Sequence, residues 1–159
     1  MIVIAVSGRQ DRGKTHSIIR FEELLIQELG KNNTWYKEQP FEAEGEDIRR
    51  IVKLTDASIC ICSGGDDEQT IQKNFNLAKQ NQCDILVSAV RHKWNNIPSY
   101  FHCAMDDDEL LIEFPTAFAT DKKQRYQNIT GSSFEIIYQL NAKNILHIVK
   151  NVLQMLKKA

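Results

Sequence analysis

The chain has 159 residues, of which 42% are hydrophobic and 26% are charged, proportions typical of an ordinary soluble globular domain. This length suits one domain with one substantial core. The net charge of −1 gives no electrostatic reason to expect nucleic acid or an anionic membrane as a partner. The apolar N-terminus turns polar at Ser7 and has no basic segment before it. We therefore expect neither a signal peptide nor a membrane span, and we predict a cytoplasmic protein.

The first half of the chain alternates predicted strands with predicted helices. Continuous apolar runs predict buried strands, and apolar residues at every third or fourth position predict helices. In chain order these patterns predict a strand over 2–7, a helix over 14–29, a short strand over 34–36, a helix over 46–55, a strand over 57–62 and a helix over 68–81.

The second half continues this alternation. It contains a predicted strand over 84–90, a loop or a loop with one helical turn over 91–102, and a further strand over 110–114. Residues 134–139 fit either a strand or the start of a helix, and Asn141 is expected to cap a terminal helix that runs to about Lys157. The whole pattern predicts a single α/β domain over 1–159, with a mostly parallel central sheet and helices on both faces. In such sheets, ligands bind beyond the carboxyl ends of the strands.

The four cysteines do not have the spacing of a zinc site. Cys60 and Cys62 are separated by one residue instead of two, and no second pair completes a ligand set. We interpret them, together with Cys83 and Cys103, as small buried hydrophobic residues in a reducing compartment.

The segment Gly8–Thr15, with the sequence GRQDRGKT, fits the pattern G-x-x-x-x-G-K-[ST] at every fixed position. It lies between a predicted strand and a predicted helix, which is the context that this pattern requires. Backbone N–H groups of such a loop converge on an anion, helped by the positive end of the helix dipole. Lys14 can then reach the β- and γ-phosphates, the Thr15 hydroxyl can bind Mg²⁺, and His16 can touch the α-phosphate.

With this loop the chain resembles the P-loop NTPases, in which the same motif is named Walker A. The resemblance implies the three-layer P-loop fold and a bound Mg²⁺–NTP, with ATP as the expected nucleotide. The nucleotide-binding residues that it implies are Gly8, Arg9, Gln10, Asp11, Arg12, Gly13, Lys14, Thr15 and His16.

Charged residues inside the loop point to two branches of this family. Nucleotide kinases often carry an acid in the loop that acts on the acceptor, a role that the resemblance permits for Asp11, with a solvated side chain as the alternative. Arg9 stands where the MinD-like ATPases carry a second lysine. Arg9 and Arg12 can each neutralise phosphate charge or pair with Asp11.

The family also places a carboxylate at the carboxyl end of a neighbouring buried strand, where it completes the Mg²⁺ site. The predicted strand that ends at Cys62 is the best scaffold, and Asp66 and Asp67 follow it, while Ser63 occupies the position of the family's acid. We assign Thr15, Asp66 and Asp67 to the metal. The alternative for the two aspartates is capping of the next helix.

Further residues are expected at the two edges of the sheet. Arg91 follows a buried strand and should bind phosphate or transition-state charge. Trp94 can stack on a nucleobase or anchor a surface loop. Asp56 and Asp84 begin their strands, so we expect them at the opposite edge in structural roles. The predicted catalytic residues are Lys14, Asp66 and Arg91.

Three functions fit these observations. We favour a small kinase or phosphotransferase that acts on a nucleotide or another small acceptor, with the basic segment around Lys122, Lys123 and Arg125 as a lid or a solvated charge run. The second is a nucleotide-dependent ATPase switch that controls a protein partner, with 37–47 as the switch loop. The third is a P-loop binding module without turnover. A GTPase is disfavoured because the sequence has no Asn-Lys-x-Asp guanine motif.

Overall fold

The computed structural model describes residues 1–8, 13–29, 35–38, 47–93, 96–117 and 132–158, with only the backbone described at 35–38 and 132–133. These residues form six strands and four helices. The strands are β1 (Ile2–Gly8), β2 (Trp35–Glu38), β3 (Arg49–Lys53), β4 (Ser58–Cys62), β5 (Ile85–Arg91) and β6 (Leu110–Pro115). The helices are α1 (Lys14–Leu29), α2 (Glu68–Gln80), α3 (Ser99–Ala104) and α4 (Ser132–Leu156).

The six strands form one sheet in the order β2-β3-β4-β5-β1-β6. Strands β4, β5, β1 and β6 are parallel, and β2 and β3 add an antiparallel hairpin at one edge. Helices α1 and α4 pack on one face of the sheet, and α2 and α3 pack on the other. The α/β class and the mostly parallel sheet with helices on both faces are therefore confirmed. No helix in the described part of the chain is long and apolar enough to cross a membrane.

Strand β1 lies between β5 and the edge strand β6, and it creates a crevice with β5. The chain leaves β1 over one face through α1, whereas it leaves β5 over the opposite face through α3. Connections that depart over opposite faces leave a gap between the carboxyl ends of the two strands, and ligands of open α/β sheets bind in such gaps. The loop that follows β1 begins at this crevice.

The helix predicted over 46–55 is wrong, because this segment contains strand β3. Ile51 and Val52 are adjacent in sequence but are buried in different cores, on opposite faces of the sheet. Only a strand sends consecutive side chains to opposite faces. Pairing with β4 also gives the segment its backbone hydrogen bonds, opposite Cys60 and Ile59.

Asn141 does not cap the last helix, contrary to the prediction. Helix α4 begins at Ser132, so residues 134–139 are helical and Asn141 lies in the helix interior, fully buried. The apolar residues of this helix extend into its first turns, where Phe134, Ile136 and Leu140 are exposed. Helix α3 begins inside the segment 91–102, for which one helical turn was one of the two predicted alternatives, and it continues to Ala104.

Thiol reactivity provides a test of this core. Cys60, Cys62 and Cys83 are buried as predicted, whereas Cys103 is exposed, contrary to the prediction. Hydrogen bonding to Cys62 and burial raise the pKa of the Cys60 thiol, and hydrogen bonding to Cys60 and burial raise the pKa of Cys83. Because the thiolate is the reactive form, we expect Ellman's reagent to label one thiol rapidly in the folded protein and four in guanidinium. Fast labelling that persists in Cys103→Ser would contradict this arrangement.

Candidate functional site

The predicted strand–loop–helix arrangement is present, with β1 ending at Gly8 and α1 beginning at Lys14. Gly13 has a φ of +73°, a left-handed conformation that glycine adopts without strain. A Cβ on Gly13 would also collide with the Tyr138 ring, which packs against this turn from α4. The loop residues Arg9, Gln10, Asp11 and Arg12 lie outside the residues that the structure describes, as does Trp94.

Lys14 is buried at the start of α1, with 7% of its surface exposed. Its Cγ and Cδ atoms lie 3.7 Å from the position that a Cβ on Gly8 would occupy. The aliphatic stem of Lys14 therefore lies beside Gly8, the last residue of β1. Helix α1 carries no acidic residue in its first turn, so its amino end keeps the positive potential that favours anions.

Thr15 contacts a carboxylate that the sequence analysis did not assign. Its Oγ1 donates a hydrogen bond to Oδ1 of Asp47 at 3.2 Å and also lies 3.4 Å from the carbonyl oxygen of Ser63. The Ser63 hydroxyl donates to the same Oδ1 at 3.1 Å and accepts from the backbone N–H of Ile48 at 2.8 Å. Ser63, at the position where P-loop NTPases carry an acid, thus holds Asp47 beside Thr15.

The direction of β3 explains how Asp47 reaches this site. Asp47 comes just before β3, and β3 runs antiparallel to β4, so its amino end lies at the carboxyl edge of the parallel strands. In the sequence, Asp47 ends the segment 37–47 that we predicted as a switch loop. The available signal was the pair of β-branched residues Ile51 and Val52, which favour a strand.

Asp66 and Asp67 follow a strand that does not neighbour β1, because β4 pairs with β5 instead. The assignment of these aspartates to the metal assumed that their strand is next to β1, and this assumption is wrong. Asp67 caps α2, accepting from Thr70 N at 2.9 Å and from Thr70 Oγ1 at 2.8 Å. These hydrogen bonds lower the pKa of Asp67. Asp66 is exposed, and no hydrogen bond joins either aspartate to Thr15 within the described part of the chain.

Arg91 lies at the crevice, as predicted. It is the residue of β5 that pairs with Gly8 of β1, and its backbone N–H donates to the carbonyl of Gly65 at 3.0 Å. Nearby, burial and the charges of Asp67 and Asp66 raise the pKa of Tyr100, and the positive charge of Arg91 opposes this rise. Arg91 and the two aspartates therefore lie close enough to Tyr100 to interact with it electrostatically, on the α2 and α3 side of the crevice.

A second polar group, also missed from the sequence, lies at the ends of β1, β5 and β6. Oε1 of Glu113 accepts from the Ser7 hydroxyl at 2.6 Å and lies 3.0 Å from Nε2 of His92. Burial raises the pKa of Glu113, but the hydrogen bonds from Ser7 and His92 outweigh this effect and hold it below its usual value. The three residues are far apart in sequence, and only the parallel strand order brings them together.

Buried Asn141 fixes the helix that carries Lys14 and Thr15. Its side chain accepts from Ala117 N at 3.0 Å and donates to Ala117 O at 3.0 Å and to Ser17 Oγ at 3.2 Å. The Ser17 hydroxyl in turn donates to the carbonyl of Gly13 at 2.8 Å. This network joins the segment after β6, helix α4 and the first turn of α1, and it holds Gly13 at the start of that turn.

The remaining predicted residues lie at the edges of the sheet where they were expected, with His16 beside the loop and with Asp56 and Asp84 at the opposite edge. His16 is exposed on the first turn of α1, with its ring centroid 5.0 Å from that of Tyr138. Asp84 begins its strand region at the opposite edge and accepts from the backbone N–H of Ser58 at 2.8 Å. Asp56 pairs with Lys157 at 3.1 Å. Among the described residues, no group of three or more His, Cys, Asp or Glu side chains is arranged to hold a metal ion by itself.

No protein-family model matches this chain, and comparisons with curated proteins and with solved structures found no match either. Function is therefore inferred from the loop motif, the strand order and the contacts around the crevice.

Proposed function

We propose that this chain binds a Mg²⁺–nucleoside triphosphate, with ATP as the expected nucleotide, at the loop Gly8–Thr15. The observation that carries the proposal is the contact between Thr15 Oγ1 and Asp47 Oδ1, at the amino end of α1 and beside Lys14. A hydroxyl, a carboxylate and a lysine at one helix amino terminus are the groups that phosphate and its counterion require.

The donor set fits Mg²⁺. This ion prefers oxygen ligands and is usually bound through one or two protein groups, substrate phosphates and waters, so a cage of protein ligands alone is not needed. Thr15 would supply its hydroxyl and Asp47 its carboxylate, directly or through water. When bound, the ion neutralises phosphate charge and orients the triphosphate.

The protein's own groups supply the rest of the site. The backbone N–H groups at the start of α1 point towards the loop and carry partial positive charge. Lys14 adds a full charge from a buried stem, and Arg91 adds another from the neighbouring strand. Positioned charges of this kind both bind a triphosphate and stabilise charge that develops during phosphoryl transfer.

We further propose that the reaction is phosphoryl transfer to a small acceptor. The crevice continues past the loop to the α2 and α3 side. There Arg91 ends β5, His92 and Tyr100 follow it, and these residues offer a second set of polar groups for an acceptor. An assay of ATP turnover with and without nucleosides, nucleotides and sugars tests this reaction. Turnover stimulated by an acceptor supports a kinase, whereas tight binding with no turnover supports a binding module instead.

The metal role of Asp47 leads to a specific prediction. Asp47→Asn keeps an oxygen for the Thr15 and Ser63 hydroxyls but removes the charge that attracts Mg²⁺. We expect the Mg²⁺ concentration that half-maximally tightens ATP binding to rise about tenfold, which corresponds to about 1.4 kcal/mol. Calorimetric titrations with ATP over a series of Mg²⁺ concentrations measure this change.

Asp66→Asn and Asp67→Asn are the matched controls, because each removes one carboxylate that makes no contact with Thr15. Both are expected to leave the Mg²⁺ requirement within about twofold of the wild-type value. If either control shows the larger effect and Asp47→Asn does not, the metal carboxylate is the one that the sequence pattern suggested.

A further inference from the structure

The polar group formed by Ser7, His92 and Glu113 is not used by nucleotide binding as proposed above. Its members come from the ends of three neighbouring parallel strands. Ser7 continues the alternation of Val3 and Ala5, whose side chains lie in the core under α2 and α3. The group therefore lies on the α2 and α3 side of the crevice, next to the first residue of the loop.

His92 is held in place from two directions. Its backbone N–H donates to the carbonyl of Gly8 at 2.9 Å, and its Nε2 lies 3.0 Å from Glu113 Oε1. The side chain is only 15% exposed. A carboxylate beside Nε2 places the ring proton on that atom, so Nδ1 carries the lone pair. The described residues provide no hydrogen bond to Nδ1.

Glu113 is suited to hold this tautomer. Its pKa lies below the usual value, so it is a carboxylate at neutral pH and acts only as an acceptor. Ser7, fully buried, donates to the same oxygen that faces His92 and thereby fixes the carboxylate. An imidazole oriented by a carboxylate is the arrangement of a general base.

We propose that His92 is the general base for a small acceptor that is phosphorylated on a hydroxyl group, with Glu113 and Ser7 as positioning residues; this inference rests on the proposed nucleotide site. The acceptor hydroxyl gives its proton to Nδ1 of His92 as its oxygen forms a bond to the γ-phosphorus. The bond between the γ-phosphorus and the β–γ bridging oxygen breaks, and the nucleoside diphosphate leaves with that electron pair. The proton passes from His92 to solvent.

Two observations favour a hydroxyl acceptor over a phosphate acceptor. A phosphate monoester is already ionised at neutral pH and needs no base, whereas an alcohol does. In addition, Asp66, Asp67 and Glu68 are exposed and close enough to Tyr100 to raise its pKa. Arg91 opposes these charges but is assigned above to the triphosphate, so the three acidic side chains repel a second phosphate. We therefore assign neutral hydroxyl compounds, such as nucleosides and sugars, as the acceptor class.

The test compares the full chain with His92→Gln, which keeps an N–H donor for Glu113 but has no basic atom. The probes are ATP with a set of ribonucleosides and free sugars, and ATP with nucleoside monophosphates. We expect wild-type protein to phosphorylate at least one hydroxyl probe, and His92→Gln to lower kcat for it about 100-fold or more. His147→Gln, at an exposed histidine on α4, is the control and should retain the wild-type rate.

Further readouts separate a chemical role from a structural one. Imidazole should restore part of the rate of His92→Ala, at least tenfold over the unrescued variant, and Glu113→Gln should lower kcat while KM stays within about twofold. ATP affinity measured by calorimetry should stay within about twofold in all these variants. If the wild-type protein does not bind ATP in this calorimetric experiment, the proposed nucleotide site itself is overturned.

The inference is overturned separately by any of three results obtained while ATP binds normally. They are a wild-type rate in His92→Gln, preferred transfer to nucleoside monophosphates, and no transfer to any hydroxyl probe.

Discussion

Replacing Lys14 with alanine is expected to weaken Mg²⁺–ATP binding about tenfold or more, a loss of about 1.4 kcal/mol or greater. The physical reason is the position of this side chain. Its stem packs beside Gly8 at the amino end of α1, and only 7% of the residue is exposed, so solvent screens it little. An ammonium group in such surroundings interacts strongly with a triphosphate. Isothermal titration with ATP at saturating Mg²⁺ measures the loss directly.

Lys14→Met separates charge from packing, because methionine keeps an unbranched stem beside Gly8. We expect it to lose as much ATP affinity as the alanine variant while its thermal unfolding midpoint stays near that of the wild type. Lys143→Ala, at an exposed position of α4, is a control for nonspecific charge effects. Wild-type affinity in both Lys14 variants would show that triphosphate does not bind at this loop.

Gly65→Ala is expected to destabilise the fold by about 3 kcal/mol, at the upper end of the usual cost of overpacking. A Cβ at this position would collide with the backbone carbonyl oxygen of Ala89 on β5, which cannot move without disturbing the central sheet. Moving Gly65 away from β5 to relieve this collision would also weaken the hydrogen bond from Arg91 N to Gly65 O. Since domains are stable by only about 5–15 kcal/mol, the midpoint of urea unfolding should fall clearly.

Gly64→Ala is the matched control for this substitution. A Cβ on Gly64 would meet Asp47 Oδ2 at 2.9 Å and Thr70 Cγ2 at 3.3 Å, and both are ends of side chains that can turn aside. We expect a loss of stability below about 1 kcal/mol, together with a higher Mg²⁺ concentration for ATP binding where the new Cβ displaces Asp47. If Gly65→Ala and Gly64→Ala destabilise the fold equally, the β5 backbone can move to accommodate a Cβ on Gly65, and the predicted collision is contradicted.

Local sequence patterns were sufficient to predict the first βα unit, β1 and α1. The apolar run before Ser7 predicts β1, and the periodic apolar residues after Lys14 predict α1. Both elements have the predicted bounds to within a residue. Such predictions succeed because a strand buried on both faces and a long amphipathic helix each have a distinctive apolar pattern within a short window of sequence.

Local patterns predicted the wrong structure for 46–55, where the apolar spacing indicated a helix and the structure contains β3. Ile48, Ile51, Val52 and Leu54 have a spacing that suits a helix, and in a segment this short periodicity does not distinguish the two structures. The hairpin with β4 decides the matter, because it supplies backbone partners and two buried faces. This error concealed Asp47, since its position at the carboxyl edge follows only from the antiparallel direction of β3.

The sequence by itself determined the loop Gly8–Thr15, its place between a buried strand and a helix, and the α/β class, because each of these depends on residues close together in the chain. Only the tertiary structure decided which groups surround that loop. Strand order places β5 and β6 beside β1, so Arg91, His92 and Glu113 meet Ser7 and Gly8. These contacts join residues separated by up to about a hundred positions, and their pairing is set by sheet packing, which no local pattern records.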